Sequence, residues 1–250
     1  MKTFLIPITA LVLMSCGQRG EISKNKSSAE SGLSPETMQL ADIRIRDPFI
    51  VADQASGNYY LYAQMGNREG AGEKGVEVYT SRDLENWSGP EPVFIIPGDF
   101  WADYQVWAPE VHKHRDKYYL FVTLSSRDTL SSPRPYQTEK WPKLVKRATQ
   151  ILVSDSPEGP FNPIENKPHT PVEWSSLDGT LYVEDGVPYM VFCHEWTQVV
   201  DGTMELVRLK EDLSAPAGEP RTLFRAGDAS WVTPLQVLSL IHISEPTRPR

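Results

Sequence analysis

The chain has 250 residues, with 33 Asp and Glu against 25 Lys and Arg and a net charge of −8. That balance excludes the basic surface a nucleic-acid partner needs and leaves a neutral polymer such as a polysaccharide open. Hydrophobic residues at 40% and charged residues at 23% fit one large all-β domain or two small ones, and 7 Trp with 10 Tyr suit either sugar stacking or a β-rich core.

The chain starts with Lys2 and an apolar run from Phe4 to Met14. The run is too short to span a bilayer and reads as the hydrophobic region of an export signal. It ends in Leu13-Met14-Ser15-Cys16, the form of a bacterial lipobox, which makes residues 1–16 a lipoprotein signal peptide and Cys16 the lipidation site. The alternative is an ordinary secretory signal with an incidental cysteine; on both readings the protein leaves the cytoplasm, for the periplasm or the outer-membrane or cell surface. Cys193 is then a buried small hydrophobe rather than half of a disulfide. Residues 17–40, rich in Ser, Gly, Lys and Glu without apolar period, read as a flexible tether.

From residue 41 the pattern changes to short strands, and three segments repeat. Arg46-Asp47-Pro48-Phe49-Ile50-Val51 leads through a Ser56-Gly57-Asn58 turn to Tyr59-Tyr60-Leu61-Tyr62. Trp107-Ala108-Pro109-Glu110-Val111-His112 leads through Arg115-Asp116-Lys117 to Tyr118-Tyr119-Leu120-Phe121-Val122. Leu177-Asp178-Gly179-Thr180-Leu181 leads through Glu184-Asp185-Gly186 to Tyr189-Met190-Val191-Phe192. Each is a hairpin opened by a carboxylate. After each comes a third strand running into a polar turn (Val76–Tyr79, Ile151–Val153, Glu205–Leu209), and a weaker fourth follows at Val93–Ile96 and Thr222–Phe224. A short helical turn is expected at Thr138–Lys146, inside an insertion in the second unit.

The opening carboxylates stand at 47, 110 and 178, spaced 63 and 68 residues apart. Four strands per repeat at a period of about 65 predict an all-β propeller, with three blades in residues 41–237 and the start of a fourth at Trp231-Val232-Thr233-Pro234. Residues 238–250 match, through Arg248, the translation of a common sequencing-library transposon adapter, and are set aside as a non-native tail although Val237–Ile243 imitates a strand. The natural protein is expected to continue past residue 237, because three blades do not close a ring.

The first strand of a propeller blade lines the central channel, so Asp47, Glu110 and Asp178 are expected to converge on one pocket. Paired carboxylates suit glycosidic hydrolysis, one protonating the leaving oxygen and the other activating water, with their proximity pushing their pKa values apart. Each alone equally fits a turn cap. Trp101, Trp107 and Trp196 suit stacking walls for a sugar, or places in the core. His194 suits a hydrogen bond to a sugar hydroxyl, or a structural role. His112 and His114 alternate on one strand, with no carboxylate or Cys completing a metal set, and no cofactor or metal is predicted.

Arg46-Asp47-Pro48, Trp107-Ala108-Pro109-Glu110 and Leu177-Asp178-Gly179-Thr180 together resemble glycoside hydrolase family 43 over residues 41 to about 237, and Phe192-Cys193-His194-Glu195-Trp196 resembles a bacteroidal branch of it. The resemblance implies a five-bladed β-propeller and an inverting enzyme that removes arabinofuranosyl, xylosyl or galactosyl units from polysaccharide or oligosaccharide. It implies Asp47 as general base and Asp178 as the carboxylate that tunes the acid's pKa. Glu110, where many members have Asp, is implied in a supporting role in the substrate pocket. The family's general acid opens the fourth blade in an acidic Gly-Pro motif. Glu158-Gly159-Pro160 lies before Asp178 and reads as a turn, so the acid is expected beyond residue 237, with Glu195 as the remaining candidate within the chain. A structural calcium, present in some relatives, is neither required nor excluded. A monomer is expected, touching a membrane only through its lipid anchor. Two alternatives stay open: a related propeller enzyme (fructan hydrolase or mannoside phosphorylase), and a non-catalytic surface glycan-binding lipoprotein.

Overall fold

The computed structural model describes residues 37–66, 72–131 and 144–231. The signal peptide with Cys16, most of the tether, residues 232–234 of the expected fourth blade and the adapter-like tail lie outside the described residues.

Among the described residues, thirteen strands form three antiparallel sheets. The first contains β1 (Met38–Gln39), β2 (Phe49–Asp53), β3 (Asn58–Gln64), β4 (Gly75–Ser81) and β5 (Asn86–Ile95), in the spatial order β1-β5-β4-β3-β2. The second is the meander β6 (Gln105–His114), β7 (Lys117–Thr129), β8 (Val145–Ser154) and β9 (Asn162–Pro163). The third is the meander β10 (Ser176–Glu184), β11 (Val187–His194), β12 (Thr203–Arg208) and β13 (Arg221–Arg225), with one helical turn, α1 (Trp196–Val199), between β11 and β12. All three expected hairpins are present. The turn of β10–β11 has both central residues, Asp185 and Gly186, at positive φ, as a two-residue hairpin loop requires. In the β4–β5 turn the Asp83 carboxylate accepts the backbone N–H groups of Glu85 and Asn86, and those bonds hold its pKa well below the usual carboxylate range.

Two boundaries differ from the sequence reading. Met38 and Gln39 pair with Trp87 and Asn86, so the end of the supposed tether is already part of the first sheet. Val145 and Lys146 open strand β8 rather than closing a helical turn; the rest of that turn lies outside the described residues. Both errors arise because strand pairing supplies partners that local composition does not reveal.

Strand β7 explains how the sheets stack. Tyr118, Leu120, Val122 and Leu124 join a core shared with Tyr62, Val76, Val78 and Phe94 of the first sheet. Tyr119 and Phe121 point the other way, into a core with Met190, Phe192 and Val207 of the third. Alternate residues of one strand therefore fill two seams, which is why its sequence reads as a continuous apolar run. Each such fully buried side chain contributes about 1.5–3 kcal/mol relative to exposure.

A second in-register position recurs on the third strand of every sheet. Glu77 pairs with Ala63, Gln150 with Val122 and Glu205 with Phe192, and all three side chains are buried. Burying such groups is costly unless hydrogen bonds replace water. Glu77 Oε1 accepts from Tyr79 Oη at 2.9 Å, Gln150 Oε1 from Trp101 Nε1 at 2.8 Å, and Glu205 Oε1 from Thr203 and Thr222 at 2.6 and 3.0 Å.

Candidate active site

The strands that open the three hairpins, β2, β6 and β10, share a kink, just before β2 and within β6 and β10. Asp47, Ala108 and Asp178 have φ of 49°, 41° and 54°, in the left-handed region. Each lies two residues before the pair from which regular pairing runs on to the hairpin turn: Phe49 with Tyr62, Glu110 with Phe121, Thr180 with Val191. In β6 and β10 the kink is a break in register, between Trp107 and Glu110 and between Leu177 and Thr180. This corrects the expected alignment of three carboxylates. Asp47 and Asp178 occupy one equivalent position, the second sheet places Ala108 there, and Glu110 corresponds to Phe49 and Thr180. Bulges of this kind re-aim side chains at functional sites, and a non-glycine residue held at positive φ costs on the order of 1–3 kcal/mol.

The three innermost strands meet around His112. Its ring lies 5.3 Å from that of Phe49 on β2 and 5.4 Å from that of Phe121. Its Nε2 is 3.1 Å from Glu110 Oε2 and 3.4 Å from Thr180 Oγ1 on β10. Glu110 is thus tied to His112 at this junction. The Asp47 carboxylate, a quarter exposed, lies 3.5 Å from Nε of the solvent-exposed Arg46, an ion pair that water largely screens.

Two threonines of the second sheet hold the third sheet's kink. Thr123 Oγ1 accepts the backbone N–H of Asp178 at 2.8 Å, and Thr149 Oγ1 accepts that of Gly179 at 3.1 Å. A Cβ on residue 179 would lie 2.6 Å from both Cγ2 and Oγ1 of Thr149, so only glycine lets the strand approach this closely.

Next to them, Arg147 joins the two sheets. Its Nη1 donates to Glu195 Oε2 at 2.7 Å, its Nε to Ser125 Oγ at 3.2 Å, and its guanidinium lies 4.1 Å from the centre of the Trp107 ring. Ser175 Oγ donates to the same Glu195 oxygen at 2.7 Å. Both side chains of the ion pair are about nine-tenths buried. Glu195, the candidate acid, is therefore held by two donors, Arg147 and Ser175. His194 stacks face to face on Trp174, with centroids 4.0 Å apart, and bonds Gln198 Oε1 at 2.9 Å. Burial lowers its pKa, which keeps the ring neutral.

The structure brings Trp107, Glu195 and His194 to the kinked end, with Asp178. Trp101 is placed elsewhere: its partners are Gln150 on β8, Asn166 and Phe100, away from the innermost strands. Trp196 begins α1 and is half-buried. Sequence reasoning missed Thr123, Ser125, Arg147 and Thr149. Their one visible signal is polar residues at alternate positions in strands otherwise apolar enough to be buried on both faces.

The model of Glycosyl hydrolases family 43 matches residues 40–238. The crystal structure of an endo-arabinase from Bacteroides thetaiotaomicron is 39% identical, with a TM-score of 0.65 over 79% of this chain and 62% of that one. An extracellular exo-α-(1→5)-L-arabinofuranosidase of Cellvibrio japonicus is 26% identical over 59% of this chain and 41% of its own length. An extracellular endo-α-(1→5)-L-arabinanase of Bacillus subtilis is 21% identical over 58% and 42%. The chain thus spans about two-fifths of the length of these curated relatives. With kinked aspartates at one equivalent position of the first and third sheets and a family match across the three described sheets, the chain belongs to family 43 of the glycosyl hydrolases.

Proposed function

We propose that the protein is an exported glycoside hydrolase that cleaves arabinofuranosyl linkages in a polysaccharide such as arabinan, with inversion, on a five-bladed β-propeller. The observation that carries this reading is the equivalence of Asp47 and Asp178: two carboxylates at the same kinked position of innermost strands that both reach His112. Asp47 is the general base, taking a proton from the water that attacks the anomeric carbon. Asp178 orients the proton donor and tunes its pKa, its own backbone fixed by Thr123. In an inverting enzyme the base and the acid stand about 6.5–9.5 Å apart, leaving room for the water. We assign the acid to none of the described residues, since Glu195 is engaged by Arg147 and Ser175. Trp107 offers a stacking surface for the sugar, with Glu110, His194 and Trp196 as further contacts; Trp101 is a structural residue of the second sheet on this reading.

The endo-arabinase and arabinofuranosidase names among the relatives favour arabinose over xylose or galactose. The extracellular relatives support export, and the Leu13-Met14-Ser15-Cys16 motif supports a lipoprotein anchored through Cys16. The test is hydrolysis of linear α-1,5-arabinan and of 4-nitrophenyl α-L-arabinofuranoside by the full-length protein. Turnover of either is expected, with retention of fold and loss of turnover by about a thousandfold or more in Asp47→Asn, as for removal of a reacting group. Undiminished turnover in Asp47→Asn removes the assignment.

A further inference from the structure

The residue with the most unusual surroundings is Arg147. Four features single it out. It lies on β8 opposite Ser125 of β7, two residues before Thr149, which itself lies opposite Thr123. Side chains two apart on a strand share a face, so Arg147, Ser125, Thr149 and Thr123 form one polar square on the second sheet, and each corner but Ser125 contacts the third. The guanidinium is only about a tenth exposed, and among the described residues its hydrogen bonds run to Ser125 and Glu195. It lies over the ring of Trp107, 4.1 Å from its centre, and Trp107 is the residue immediately before the kinked Ala108. Its carboxylate partner, Glu195, immediately follows His194, which pairs with Ser176 two residues before Asp178.

A buried ion pair adds little net stability compared with apolar packing of the same volume, because both charges lose their water. Its contribution is directional. Arginine suits this place because its planar group makes in-plane hydrogen bonds while its face stacks on an aromatic ring. Here the in-plane donors reach Ser125 and Glu195 and the face meets Trp107.

We propose that Arg147 is a positioning residue for the sugar: it backs one face of Trp107, leaving the other for the substrate, and through Glu195 it sets the separation between Trp107 and Asp178. This inference rests on the glycosidase reading above and gives Glu195 a role as the anchor of Arg147 rather than as an acid. Arg147 and Trp107 thereby act as one recognition element, for a neutral furanose or pyranose ring that needs a rigid apolar platform.

The test measures the affinity of the full-length protein for α-1,5-linked arabinotriose by isothermal titration, together with the melting temperature, for Arg147→Lys, Glu195→Gln and Trp107→Ala. Lysine restores the charge pair but neither stacks flat nor reaches Ser125 at the same time. Arg147→Lys is expected to melt close to wild type while binding about tenfold more weakly, because lysine cannot hold Ser125 and Glu195 and cover the ring at once, and Glu195→Gln to lose a few-fold, because the neutral amide anchors the guanidinium less firmly. The double variant Arg147→Lys with Trp107→Ala is expected to bind no worse than Trp107→Ala alone, since the two residues act as a unit. Wild-type affinity in both Arg147→Lys and Glu195→Gln, alongside weak binding by Trp107→Ala, overturns the inference and leaves the glycosidase reading standing. Melting temperature and affinity falling in parallel across the variants also overturns it, reducing Arg147 to a structural ion pair. If wild type binds neither arabinotriose nor xylotriose, the glycosidase reading itself falls, and the inference with it.

Discussion

The seam between the first and second sheets and the seam between the second and third are built from opposite faces of the same strands, and they differ. The first is mainly apolar where Val76, Phe94, Val106 and Leu124 close the core, with few polar groups such as Gln150 bonded to Trp101 and Tyr118 bonded to Asp53. The second is apolar around Phe121, Ile151 and Phe192, then turns polar at Thr123, Ser125, Arg147 and Thr149. Apolar packing is non-directional and tolerates sliding; hydrogen bonds fix distance and angle. The seam beside Asp178 is thus the one whose geometry is specified, while the other supplies stability.

Four variants or conditions put pressure on that contrast. The largest effect is expected for Leu124→Ala, which empties a fully buried site at the end of the apolar seam: about 2–5 kcal/mol lost in urea unfolding, with arabinotriose affinity unchanged. Altered affinity there breaks the contrast. The second concerns pH. His169 is buried across the second seam, its Nδ1 accepting the N–H of Ile151 and its Nε2 donating to the Ser214 carbonyl. Burial lowers its pKa from 6.5 to about 4. The unfolded chain therefore takes up a proton before the folded one does, and stability is lost as pH falls from about 6.5 to 4, by at most on the order of 3 kcal/mol. Denaturant titrations across that range should show the loss in wild type and a flatter profile in His169→Gln. Third, Gly179→Ala forces a Cβ against Thr149 and should cost about 1–3 kcal/mol while weakening sugar binding. Smallest is Thr123→Val, which leaves the Asp178 N–H without its acceptor: about 1 kcal/mol, read as faster hydrogen exchange at that amide.

The hairpins were legible because each is local: Tyr59–Tyr62, Tyr118–Val122 and Tyr189–Phe192 all find their partners across short polar turns. The fourth strands were fainter; β13 is exposed along its whole length and lacks an apolar signature. The equivalence of Asp47 and Asp178 was legible, but Glu110 was wrongly set in register with them, because a kink of two residues leaves no mark on polarity. Ala108 carries no chemistry, and only its backbone shows that it stands where Asp47 and Asp178 stand. Arg147 was hidden for a different reason. Its partner Glu195 lies 48 residues away on another sheet, and nothing in either neighbourhood announces the pair.

The contact between Gly179 and Thr149 has a consequence for exchanging parts among relatives. The glycine belongs to one sheet and the threonine that needs its missing side chain to the other. A chimaera that joins the second sheet of one homologue to the third of another inherits a collision or a void unless both residues travel together. Grafts of this chain should keep residues 105–208 as a single piece.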